Sequence, residues 1–512
     1  MDLEKKIVRI DQIKCQASTQ LALEDDRNLQ DRKPDMTEIL CKKGSVSVEE
    51  IKIITDHVLL KGKLLYDILY RSDEIESVCS IEGFIPFEEQ VFMENVESED
   101  LVQTRWELED LSVDMINSRK LSIQALVEFG LFVEILCDQE FPVATADETG
   151  MGQLECKKKS LDVTEIKVQK KDIFRIRESM ELPQNLPNIQ TIIWQDVSVP
   201  ELEFKTVDER IFMKGEVRIF VLYEGEGTEG KKIFATSIPI NGALDCQGCK
   251  NTLLPDIRYQ MKELQLDVQD DFDGEARILS MEMVLDLYIK LYEELKMEIV
   301  SDCYGIHKNA DILYQKVQYK SALHRSIGKC KVQELIKDTT IPEDCMVVHT
   351  QTSVQKESKQ VTDKGMDILG AIFADVLLTD TSGKFYQLKC SMPFHYLLET
   401  PIIPAENTWF VEQKVEHLGV SRTGEGWEIK GTVCFSLAAF RIKEENVIRE
   451  VTLSPIDSEM KKREPGMIGY IVKSGDTLWD VGKRYMVSLD SIRQTNNLSN
   501  ELHNGDKILI IR

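Results

Sequence analysis

No stretch of the 512 residues stays apolar for the roughly 18–20 positions that a membrane span requires. The richest runs, near Leu279–Leu291 and Gly365–Leu378, are broken by charge. The N-terminus, MDLEKKIVRIDQIKCQ, has two lysines but no uncharged apolar segment behind them, which argues against a secretory signal. Positive charge is in short supply: 63 Lys and Arg face 89 Asp and Glu, for a net charge of −26. Such a surface repels phosphate backbones and anionic lipid, so nucleic-acid and polybasic membrane binding are disfavoured. Histidine is scarce, with seven isolated residues and no HExxH motif, and G-x-S-x-G is missing as well. The twelve cysteines are scattered singly except for one pair, as expected of reduced, mostly buried thiols in a cytosolic chain.

The motifs that do occur argue against chemistry. Gly225-Glu-Gly-Thr-Glu-Gly230 matches G-x-G-x-x-G, but an extended segment, KKIFATSIPI, follows it where a dinucleotide site needs a helix. Two glutamates would also face the phosphates, so a hairpin loop is the expectation. Cys246-Gln-Gly-Cys249 is the only CxxC, and no further Cys or His lies nearby at zinc-ligand spacing. Acidic pairs such as Asp270-Asp271 and Glu293-Glu294 are too common in an acidic chain to single out. No catalytic constellation, metal site or cofactor site is expected.

What is present is an internal repeat. Pro34, Pro187 and Pro342 are 153 and 155 residues apart. The same offsets relate Ile39, Ile192 and Val347, then Ser45-Val46, Ser198-Val199 and Ser353-Val354, and finally Gly62, Gly215 and Gly370. After each glycine comes a β-type run: LLYDILY from Leu64, VRIFVLY from Val217 and IFADVLL from Ile372. A second extended stretch follows with a central proline: FIPF (Pro86), SIPI (Pro239) and SMPF (Pro393). Prolines there fit edge strands best. Each copy closes on further strands, with period-two alternation at Leu121, Ile123, Ala125, Val127 and Phe129 and again at Ile429, Gly431, Val433, Phe435 and Leu437. In the second copy this segment is apolar on both faces, as in a buried or partly helical one. The spacing predicts three mainly β domains at 6–140, 160–297 and 315–445. A charged, Pro- and Gly-containing linker at 446–468 reads as an exposed tether.

The final segment, 469–512, differs in character: six Lys and Arg balance five Asp and Glu, which leaves about −27 on the rest of the chain. A short strand (Tyr470–Lys473), a turn with Gly475 and Asp476, two short helices, a Gly505-Asp506 turn and a strand (Lys507–Ile511) are expected. Asp476 or Thr477 suits the first helix cap and Ser488 the second. Leu478, Val481, Gly482 and Tyr485 form one core-facing stripe. Trp479 lies one residue off that stripe, with Lys483 four residues later on its side. A half-exposed aromatic beside a cation suits an interface anchor; the other reading is that Trp479 covers the edge of a small core.

Tyr470, Val472, Gly475–Trp479, Asn496–Leu498 and Gly505–Ile508 carry a resemblance to LysM domains, binding modules of strand–helix–helix–strand form. The resemblance implies a groove of Gly475, Asp476, Thr477 and Leu478 facing Asn497, Leu498 and Leu502, able to take N-acetyl glycan or, in a cytosolic chain, protein. The repeats with their x-Pro-x centres resemble the SPOCS domain of endospore-forming Firmicutes. Three such repeats before a LysM module resemble the clostridial spore-coat morphogenetic proteins of the SipL group. That resemblance implies a non-enzymatic scaffold in the mother-cell cytosol, at the forespore surface, that binds the ATPase of the coat's basal layer. A peptidoglycan- or N-acetylglucosamine-binding cell-wall protein is the alternative.

Overall fold

The computed structural model describes residues 3–74, 77–145, 154–200, 202–227, 230–399, 408–456, 465–498 and 502–512. The first copy runs through β1 (Leu3–Asn28), β2 (Glu38–Ile54), β3 (His57–Ser72), β4 (Ser77–Phe92), β5 (Val102–Asn117) and β6 (Lys120–Thr145). β2-β3-β4 is an antiparallel meander, and a second sheet runs β1-β6-β5. The two sheets enclose one core, in which Leu64, Tyr66 and Ile68 of β3 meet Ile123, Val127 and Phe129 of β6. A six-stranded sandwich is the result.

The second copy repeats this plan with β7 (Leu154–Glu181), β8 (Ile189–Ser198), β9 (Leu202–Val207), β10 (Arg210–Gly225), β11 (Lys231–Asp245), β12 (Leu254–Asp270) and β13 (Ala276–Gly305). β8 and β9 occupy the place of β2, and the interruption contains Pro200, which has no N–H to give to the ladder. The third copy consists of β14 (Lys308–Ile336), β15 (Met346–Thr362), β16 (Gly365–Thr379), β17 (Phe385–Glu399), β18 (Thr408–Thr423) and β19 (Gly426–Pro455). The segment of the second copy that is apolar on both faces is β13, the central strand of its sheet, and it is strand throughout.

In the first and third copies the repeated glycine has a common structural cause. Gly62 pairs with Phe87 and Gly370 with Phe394, each one residue after the strand's proline. A Cβ on Gly62 would sit 2.3 Å from the Ser47 carbonyl oxygen and 2.7 Å from Phe87 Cζ; on Gly370 it would sit 2.4 Å from the Gln355 carbonyl oxygen. The glycine therefore lets a β-bulge on one neighbour and an aromatic ring on the other close over the strand. Pro86, Pro239 and Pro393 all lie on edge strands, as expected. The repeated proline is held from behind: Tyr70 donates to the Pro34 carbonyl and Tyr223 to that of Pro187, both at 3.1 Å. Leu378 stands at the corresponding position of the third copy.

The first and last strands of each copy outrun the sandwich and pair as stalks. β1–β6 pairs from Leu3↔Thr145, β7–β13 to Leu154↔Gly305 and β14–β19 from Lys308↔Pro455. The structure corrects the sequence-based boundaries accordingly. Asn446–Pro455 is strand, not tether, and the copies extend to 3–145, 154–305 and 308–455. The stalk sets few buried residues, Val447, Ile448 and Val451, among charged ones, so it reads as solvated linker.

The stalks converge. Val8, Ile10 and Phe141 of the first copy, Leu161, Val163 and Ile299 of the second, and Val317, Tyr319 and Val447 of the third share one apolar cluster. A second seam joins Leu40 and Leu69, Trp194 and Leu222, and Leu377 and Phe385. Each seam holds an aspartate, buried at Asp11 and half-buried at Asp196, that draws bases from the other two copies. Asp11 receives Lys290 (3.0 Å) and Lys320 (2.7 Å), and Asp196 receives Lys43 (2.9 Å) and His349 (3.0 Å). Burial works against both charged carboxylates, but the bases outweigh it and hold each at about 2. Lys320 is itself lowered, because its own burial outweighs its pairing with Asp11.

The terminal module consists of β20 (Met467–Ile471), α1 (Leu478–Tyr485), α2 (Leu489–Asn496) and β21 (Lys507–Ile511). β20 ends two residues before the expected strand end and starts three residues earlier. Tyr470, Val472, Val481, Ile492, Ile508 and Ile510 make its core.

Candidate functional site

Local chemistry builds the module as its sequence suggests. Thr477 is the α1 cap: its hydroxyl accepts from the Asp480 amide at 3.2 Å, and the Asp480 carboxylate accepts from the Thr477 amide at 3.1 Å. Asp476 instead accepts from the Lys473 amide at 2.9 Å, bracing the turn at Gly475, whose φ is +90°. Ser488 caps α2 through the Ser491 amide at 3.2 Å. Asn496 ties α2 to β21, donating to the Leu509 carbonyl at 2.7 Å and accepting from its amide at 2.6 Å. Asn497 ends α2 in the left-handed conformation (φ 50°).

The proposed groove residues flank one end of the module. Gly475, Thr477 and Asn497 are exposed, Asp476 is half-exposed, and Leu478, Leu498 and Leu502 are half-buried against the module's core. The loops bearing them are drawn together by bonds from the Val472 amide to the Asp506 carbonyl and from the Gly505 amide to the Val472 carbonyl, both 2.9 Å. Among the described residues, none of these groove side chains hydrogen-bonds to the repeats. Residues 499–501 of the same loop lie outside the described residues.

Trp479 and Lys483 are placed differently from the expectation of a half-exposed anchor. Trp479 is only 7% exposed, and what covers it is the second repeat. Its indole Nε1 donates to Asp302 Oδ2 at 2.9 Å, and Lys483 Nζ reaches both oxygens of Asp302 at 2.7 Å. Tyr304 meets the indole edge-on, donates to the Val487 carbonyl at 2.7 Å, and packs where Gly482 leaves room; a Cβ on Gly482 would lie 2.5 Å from the Tyr304 oxygen. Glu155 accepts from the Leu489 amide at 3.2 Å, and Lys157 lies 6.0 Å from the Trp479 ring centroid.

The platform beneath the module is therefore two cross-strand pairs at the end of one ladder, Asp302↔Lys157 and Tyr304↔Glu155. Alternation puts all four side chains on the same face. A register shift between Val300 and Asp302 precedes them, with Ser301 bonded to the Lys157 carbonyl at 3.1 Å. Such a bulge re-aims the residues that follow it. Burial alone would raise the Asp302 carboxyl; bonds from Lys483 and Trp479 outweigh it and leave it below its ordinary value. Glu155 is raised, chiefly by burial. Sequence reasoning did not find these four residues, though a tryptophan set off its own core stripe was a sign that a partner surface exists.

Elsewhere the motifs are structural. Gly225 ends β10 and Lys231 begins β11, so the glycine-rich stretch is a hairpin turn, with residues 228–229 outside the described set. Cys246 and Cys249 are fully buried in a turn, and burial, then the neighbouring Cys249, pushes the Cys246 thiol up to about 11. Among the described residues no group of three metal-binding side chains occurs, and no helix is long and apolar enough to cross a membrane.

Comparison with protein families matches the SipL, SPOCS domain at residues 35–116 and 188–269 and the LysM domain at 470–510. The first two matches span β2–β5 and β8–β12, the copies that carry the tyrosine–proline bond. No curated protein and no solved structure matches the chain.

Proposed function

Because the chain joins SPOCS domains of the SipL type to a LysM domain, we propose that it is a non-enzymatic scaffold of spore-coat assembly. It docks through its LysM domain on the basal-layer coat ATPase at the forespore surface, in the mother-cell cytosol. The observation that supports this best is a module bolted to an acidic body by Trp479 and Lys483 while the side chains of its groove residues Gly475, Asp476, Thr477, Leu478, Asn497, Leu498 and Leu502 make no hydrogen bond to the repeats among the described residues. In the docked arrangement the groove carries the partner contact. Trp479 and Lys483 take part by setting the module's orientation, and touch the partner themselves only if the module leaves its platform.

The test is retention of the ATPase by the full chain and by a chain ending at Pro455. The body keeps its own cores without the module, so loss of binding on truncation is the expected result. Undiminished binding sinks the assignment. A second reading, N-acetylglucosamine or peptidoglycan binding, is favoured by the LysM match itself. Tight binding of chitin oligomers to the full chain, without binding of the ATPase, would establish it instead.

A further inference from the structure

Cys156 and Cys303 face each other directly across the β7–β13 ladder, between the two pairs that form the LysM platform. Among the described ladders this is the one place where two cysteines are opposite. Residues opposite each other in an antiparallel ladder have Cα atoms about 4.5 or 5.5 Å apart and side chains on the same face. Both separations fall inside the roughly 4.4–6.8 Å range of disulfides, so the spacing of the strands admits a bond with at most a small approach of the two Cβ atoms. Both thiols belong to one apolar cluster with Val300, Ile448 and Val451, on the face opposite the module. Cys303 is fully buried and Cys156 half-exposed.

We propose that Cys156 and Cys303 are a disulfide-forming pair that, on oxidation by a low-molecular-weight disulfide, staples the platform from below. The Cys156 thiolate, on the more accessible side, attacks one sulfur of the oxidant and expels one thiolate. The Cys303 thiolate then attacks the Cys156 sulfur of the mixed disulfide and expels the second. Two protein thiols lose two electrons and two protons, and the oxidant is reduced to two thiols. Burial pushes the Cys303 thiol up to about 12, with Cys156 beside it as the next cause. The second step is therefore slow in the folded chain, and the bond, shielded in the same way, is slow to be reduced. The staple closes a loop from 156 to 303, nearly the whole second repeat, which is the long-loop case in which a crosslink constrains the unfolded chain most.

The test treats the full-length protein with oxidised glutathione, both folded and during refolding from the reduced unfolded state. Remaining thiols are then alkylated under denaturing conditions and the peptides mapped by mass. The expected result is a linked Cys156–Cys303 peptide, 2 Da lighter than its reduced parts, and a melting midpoint of the oxidised chain raised by several degrees. C156S and C303S should each abolish that linkage, while the C246S/C249S double variant, which removes the rival CxxC pair, should keep it. Recovery of Cys156 and Cys303 as alkylated thiols from both the folded and the refolded samples overturns the proposal. So does a Cys156–Cys303 linkage that lowers the melting midpoint.

Discussion

The rings of Tyr304 and Trp479 meet edge to face with centroids 5.0 Å apart, one from the end of the second repeat and one from the first helix of the LysM domain. This contact, with the Asp302 carboxylate beside it, converts a module that reads as tethered into one with a fixed orientation. Removing the ring and its bond to Val487 by Tyr304→Ala is expected to weaken docking by about 2–3 kcal/mol. Hydrogen exchange in α1 and α2 checks it: amides of 478–496 should lose protection while the repeats keep theirs. Unchanged protection would mean the platform does not hold the module.

Acid should loosen the joints between the copies. Asp11 and Asp196 are held at about 2 against an ordinary 3.8. A depressed carboxyl contributes stability that is complete above its unfolded value and is lost as pH falls through its folded value. The window is therefore pH 4 to 2, with on the order of 2 kcal/mol at stake for each aspartate. Chemical denaturation across that range should show a falling midpoint, and the fall should shrink by about half in Asp11→Asn, a variant already weaker at pH 7. An equally steep fall in that variant would contradict the assignment.

Asp67 behaves oppositely. Burial, then repulsion from Glu82, raises its carboxyl to about 6. Its contribution to stability is complete below the ordinary 3.8 and is lost as pH rises through 6. Asp67→Asn is accordingly expected to stabilise the chain by about 1–2 kcal/mol at pH 8 and to change it little or unfavourably at pH 4. A variant less stable than the parent at pH 8 would argue that the carboxylate has a partner role there.

Gly62→Ala asks for a Cβ 2.3 Å from a backbone oxygen. Backbone cannot swing aside as a side chain can, so a loss of about 3 kcal/mol is expected. Gly130→Ala, on the neighbouring sheet with nothing within 4 Å of the new carbon, should cost far less. Thermal melts of the two variants decide whether the repeated glycine is a packing requirement.

The module, the three β copies and the glycine–proline register were legible because each is local: a cap, a periodicity or a constant offset. The stalks were not. In Asn446–Pro455 only Val447, Ile448 and Val451 are fully buried, and the residues that cover them come from stalks of all three copies, more than a hundred residues earlier. The burial of Trp479 was not legible either: helical periodicity sorts residues by the helix's own domain and is blind to a neighbour outside it. The four platform residues carry no signal, since Glu155, Lys157 and Asp302 look like any other charges in an acidic chain.

Pro34 and Gly62 recur in all three copies, while the tyrosine of Tyr70 recurs in the second copy and the aromatic of Phe87 in the third, so the body is built on one near-repeated plan. All three stalks shift register at the corresponding place, and it is Asp302 and Tyr304, bonded to Trp479 and to Val487, that break the equivalence by giving one stalk the head. A chain with one head at one end of a near-repetitive body has a front and a back. If it coats a surface, it does so facing one way, and a layer built from it acquires distinct inner and outer sides without any symmetry-breaking partner.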